Sequence, residues 1–223
     1  AGVSPKLKVV YVPDYVPLEI RALALQMLSR KLGQLLPGYE LDVAIAEGPF
    51  EDEDGVGAHF EAKALQGGKP AKEGKKLPQI ASLIVDLHVS VVKLARAAAL
   101  HKPSLLFGEG QGAVVATAYA HPGCLETVLA SRNVQVVELP SICQSWGNVR
   151  GVLLHAPRLS KKGVQLQNLK QAAPDMFSSY PVASRRVLAW KDMEILHYVE
   201  TKAFYEAASV EVFPEFGSLP LYE

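Results

Sequence analysis

Residues 105–120, LLFGEGQGAVVATAYA, constrain this chain more than any other stretch. An apolar run enters Gly108-Glu109-Gly110-Gln111-Gly112 and leaves as a string of small residues. A strand that turns sharply into a helix needs a backbone position at φ > 0, and glycine supplies it without steric cost. Gly112, Ala113, Ala116 and Ala120 recur at helical spacing, so one helix face is nearly bare and can lie close on a sheet. The helix start leaves unpaired N–H groups and a positive dipole end, the usual requirements for holding an anion.

Around this unit, strand and helix patterns alternate. Leu7–Val12 reads as a strand ending at Pro13. Pro17 suits a first helical turn, and Leu18, Ala22, Leu25, Leu28, Leu32 and Leu35 follow helical spacing until Pro37-Gly38. Leu41–Ala46 is a second strand. Ile80–His101 carries a helical stripe of Ile80, Ile84, Leu87, Val91, Leu94 and Ala98, although Leu83–Val92 alone also fits a strand. After the central unit the helix stops at His121-Pro122-Gly123 and Cys124–Ser131 forms another short helix. Strands are expected at Val134–Leu139, Val149–His155, Arg186–Trp190 and Val210–Phe213. Ser160 caps a helix over Lys161–Ala173, and Asp192 caps one carrying Leu196, Val199, Ala203 and Ala207.

This alternation predicts a single α/β domain over 1–223: a three-layer α/β/α sandwich with a mostly parallel sheet, doubly wound and Rossmann-like in arrangement. Two segments break the rhythm. Residues 47–78 form a charged insertion with Glu51-Asp52-Glu53-Asp54 and several lysines, read as flexible, and 214–223 form an extended tail. The acidic cluster lacks the alternation and closing glutamate of a calcium loop.

Lysine plus arginine equals aspartate plus glutamate, 23 each, so charge gives no drive toward nucleic acid. No apolar run is long enough for a membrane span. Two cysteines, Cys124 and Cys143, fit a reducing compartment. Residue 1 is alanine, and the expectation is a cytoplasmic or organellar chain trimmed of a preceding segment.

Ligands of parallel sheets bind at the carboxyl ends of strands, near a topological switch. The groups placed there are Pro13-Asp14-Tyr15, Glu47, the glycine turn, Glu138 with Ser141, His155 with Arg158, and Lys191 with Asp192. His155 and Arg158 together suit a carboxylate or phosphate. Cys143 has no C-x-x-C partner, Trp146 and Trp190 read as core, and no metal-ligand spacing appears.

The order of elements and the Gly108–Gly112 turn resemble the α/β-hydrolase fold, in particular small serine hydrolases without a large cap. That family carries G-x-S-x-G on a strained strand-to-helix elbow, with the next residue's N–H in the oxyanion hole. Gly108, Gly112 and Gln111 match, but the nucleophile position is Gly110, which has no side chain to attack a carbonyl. Asp192 matches the family's acid in position. The family's histidine follows the last strand, whereas His197, the last histidine, precedes Val210–Phe213. What the resemblance implies is therefore a hydrolase-like scaffold without the chemistry: a binding or interaction module, able to belong to a larger assembly, with Asp192 and His155 as weak catalytic candidates. Gly108, Glu109, Gly110, Gln111, Gly112, His155 and Arg158 are its ligand-binding candidates, for a protein partner or a small anion. A serine hydrolase whose nucleophile is absent here is one alternative. The other is a nucleotide-binding domain, because Gly108-x-Gly110-x-x-Ala113 also fits G-x-G-x-x-G/A. No cofactor and no metal are predicted.

Overall fold

A computed structural model describes residues 4–14, 21–51, 57–61, 77–121, 123–130, 137, 139–146, 149–155, 157, 159, 166–177, 185–189 and 209–212. The main sheet contains β1 (Lys6–Val12), β2 (Glu40–Ile45), β5 (Leu105–Glu109), β6 (Gly151–His155), β7 (Arg185–Ala189) and β8 (Ser209–Val212). Their order is β2-β1-β5-β6-β7-β8, and every neighbouring pair is parallel. The helices are α1 (Arg21–Leu35), α2 (Leu77–His101), α3 (Gln111–Ala120), α4 (Cys124–Ala130), α5 (Leu139–Trp146), α6 (Leu166–Ala172) and α7 (Pro174–Phe177). A second, two-stranded sheet pairs β3 (Phe50–Glu51) with β4 (Gly57–Ala58) antiparallel.

Strand alternation sorts the core into two layers. Val10, Val12, Leu106, Val152 and Leu154 face one way and join α2, α3 and the later helices. Val9, Tyr11 and Phe107 face the other way and pack on Leu28 and Leu32 of α1. α3 is buried from Gln111 to Tyr119, which explains a sequence that is apolar on all sides rather than striped. The glycines around it are points of close approach. A Cβ on Gly112 would stand 2.0 Å from the Val12 carbonyl oxygen, and one on Gly108 2.6 Å from Ala113 Cα.

The mostly parallel sheet with flanking helices agrees with the sequence reading. The helix read over Ile80–His101 begins at Leu77, and its strand alternative does not occur. The 47–78 insertion contributes the β3–β4 pair among its described residues. Of the strand expected over Val134–Leu139, residues 134–136 and 138 lie outside the described residues, and its last residue, Leu139, is corrected to helix. Leu139 opens α5, Val137 has a helical-turn conformation, and β5 pairs directly with β6. Pro140 in a first helical turn loses no hydrogen bond, so a proline read as a strand's end instead sits just inside a helix. Pro174 likewise opens α7 rather than only ending the helix before it.

Candidate functional site

Strand connections reverse direction between β1 and β5, because β2 lies beyond β1 and β6 beyond β5. The switch point is thus where β1 ends at Pro13-Asp14 and β5 enters the glycine turn. Gly110 sits between β5 and α3 at φ 53° and ψ −118°, a conformation that side-chain-bearing residues rarely adopt. Its own N–H donates to the His155 carbonyl at 2.9 Å, which holds the turn against the end of β6.

The space a side chain at 110 would need is filled. A Cβ there would stand 2.0 Å from Asp14 Cγ and 2.3 and 2.4 Å from its two carboxylate oxygens. Asp14 Oδ1 accepts the Gln111 backbone N–H at 2.7 Å. A carboxylate of the chain itself therefore occupies the N–H at the start of α3, where the dipole favours negative charge.

Gln111 reaches two further segments with its buried side chain. Its Oε1 accepts the His59 N–H at 3.1 Å, and its Nε2 donates to the Leu159 carbonyl at 3.1 Å. Residues 57–61 are fastened from α2 as well. Ser90 Oγ donates to the His59 carbonyl, the Glu61 N–H donates to Asp86 Oδ2, and Lys93 Nζ donates to the Gly48 carbonyl. Asp86, Ser90 and Lys93 lie at i, i+4 and i+7, a polar stripe on an otherwise apolar helix. The His59 ring is buried, and neither nitrogen makes a well-formed hydrogen bond. Burial pulls its pKa from 6.5 to about 4; the facing Pro13 carbonyl works against that shift and the Lys93 charge adds to it.

Glu109 turns to the opposite face of the sheet. Its Oε2 accepts the Tyr11 hydroxyl at 2.6 Å, and its Oε1 lies 3.3 Å from His155 Nδ1. Phe107 lies beside both rings, with centroids 5.7 Å from Tyr11 and 6.3 Å from His155. The carboxylate is 14% exposed and the imidazole 2%. Burial pushes the Cys124 thiol above its ordinary range, leaving it unsuited to nucleophilic work.

Of the sequence candidates, Gly108, Gly110, Gln111 and Gly112 gather at the switch point, whereas Glu109 and His155 form a separate cluster with Tyr11 across the sheet. Arg158 and Asp192 lie outside the described residues, as do Glu138 and Lys191. Asp14 was only a positional candidate, and its contact with the turn, some ninety residues along the chain, leaves no local signature. His59 had no signal at all; the Asp86-Ser90-Lys93 stripe was the feature that could have exposed its strap. Among the described residues no cluster of three or more His, Cys, Asp or Glu is placed to hold a metal, and no helix is long and apolar enough to cross a membrane.

No family model matches the chain, and no curated protein matches it. Among solved structures it is similar to a "putative carboxylesterase" from Lactobacillus plantarum WCFS1, at 12% identity and a TM-score of 0.46, over 94% of this chain and 77% of that one.

Proposed function

We propose that this chain is a non-catalytic binding or interaction module on a hydrolase-like α/β scaffold, with its strand-to-helix elbow closed by its own aspartate. The observation that carries the reading is the Asp14 carboxylate, seated on the Gln111 N–H and against Gly110. A nucleophilic elbow needs a reacting side chain and a vacant N–H for the developing oxyanion. Position 110 supplies no side chain, and the N–H already has an anionic acceptor.

The same contact weighs against a nucleotide phosphate at Gly108–Ala113. A second anion would have to displace Asp14 first. Gly108 and Gly112 also have a packing role that asks for no ligand, since each would meet backbone if it carried a Cβ.

The test is turnover of nitrophenyl acetate and butyrate, with covalent capture by a fluorophosphonate read by intact mass. The wild-type chain is expected to show neither. Ester turnover that disappears in Asp14→Ala or His155→Ala would overturn the reading in favour of an enzyme that uses those side chains.

A further inference from the structure

The structure points to a mechanical link that neither the fold nor the functional reading requires. Gln111 bonds three segments that are distant in sequence: Asp14 after β1 through its backbone N–H, and His59 after β4 and Leu159 after β6 through its side-chain amide. At 6% exposure, that amide cannot exchange these partners for water in place. Besides Phe60, which is buried in the main core, the strap of residues 57–61 has side-chain anchors: Gln111 for the His59 N–H, Ser90 for the His59 carbonyl and Asp86 for the Glu61 N–H. Among the described residues, β4 pairs with β3 over two residues. The His59 ring also faces the Pro13 carbonyl, next to Asp14 in the chain.

We propose that Gln111 is a clasp, tying the Asp14 closure of the elbow to the seating of residues 57–61, so that the two release together. If Asp14 leaves, the first residue of α3 loses the acceptor that fixes its backbone, and the side-chain amide that holds His59 moves with it. If the strap lifts, Gln111 Oε1 loses its donor and the same residue is freed from the other end. The proposal rests on the closed elbow, but not on the absence of chemistry there.

Native-state amide exchange tests it, because local openings are read amide by amide. Asp14→Ala removes the acceptor of the Gln111 N–H and leaves those of His59 and Glu61 in place. The expected result is about tenfold faster exchange at His59 and Glu61, beyond any change at the core amide Val10. Ser90→Ala should speed the Gln111 amide in the same way. In a Gln111→Met background the added Asp14→Ala change should no longer reach Glu61. Acceleration confined to the amide whose own acceptor was removed, with the others within about twofold of wild type after the Val10 correction, would overturn the clasp. If Asp14→Ala does not fold, Ser90→Ala carries the test alone, read at the Gln111 amide against Val10. Ester turnover by the wild type would end the functional reading and leave this coupling intact, so the two fail separately.

Discussion

Acid should weaken this fold through His59, and the size of the effect follows from its burial. The imidazole is 1% exposed, its ring nitrogens lack well-formed hydrogen bonds, and its pKa falls from 6.5 to about 4. The unfolded chain therefore takes up the proton first. His59 leaves stability untouched above about pH 6.5, and the loss grows as pH falls toward about 4, below which both states are protonated. At about 1.4 kcal/mol per pH unit, the full loss is about 3 kcal/mol, a large share of an ordinary domain's stability. The assay is urea unfolding at a series of pH values between about 7.5 and about 4, on the wild type and on His59→Phe. The other five histidines and the carboxylates are common to both proteins, so the difference between the two curves isolates His59. The wild type should lose about 3 kcal/mol more than the variant across that range. Parallel curves would refute the argument, because they would mean that the ring keeps its solvent or a partner in the fold.

Three further outcomes follow from the same contacts. Gly112→Ala drives a Cβ to 2.0 Å from the Val12 carbonyl and must push α3 off β1, so it should cost about 3 kcal/mol in urea unfolding, while Gly33→Ala, with nothing within 4 Å of its Cβ, should not destabilise. Gly110→Ser meets both the elbow's backbone strain, about 1–3 kcal/mol, and the Asp14 carboxylate; adding Asp14→Gly should recover part of the loss, and additive losses in the double variant would show that the two do not touch. Tyr11→Phe removes a 2.6 Å hydrogen bond to the Glu109 carboxylate and should cost about 2 kcal/mol, read as a shifted urea midpoint with an unchanged slope.

The fold was legible because its signals are local. The β-branched run at Leu7–Val12, the leucine spacing of α1 and the glycine turn into small residues each specify an element without reference to the rest of the chain. The end of the Val134–Leu139 run misled because a short apolar run before a proline fits a strand's end as well as a helix's approach, and Leu139 opens α5. The site was legible at one end only. Gly110 announces the elbow, and its lack of a side chain is plain in the sequence. Asp14 is 96 residues away, and nothing local says that its carboxylate returns to the Gln111 N–H. Glu109 stood as a ligand candidate as part of the glycine turn, and His155 as a residue at a strand's end. Side-chain alternation instead sends Glu109 to the α1 face, where Tyr11 and His155 surround it.

The central claim is that Asp14 closes the elbow by accepting the Gln111 N–H, and the amide proton resonance of Gln111 reports that bond most directly. In the wild type it should lie downfield, as a 2.7 Å bond to a carboxylate requires, and move clearly upfield in Asp14→Ala while the Val10 amide stays in place. A Gln111 amide that keeps its position when the carboxylate is removed would contradict the account, leaving the N–H open to a substrate's oxyanion or a ligand's phosphate.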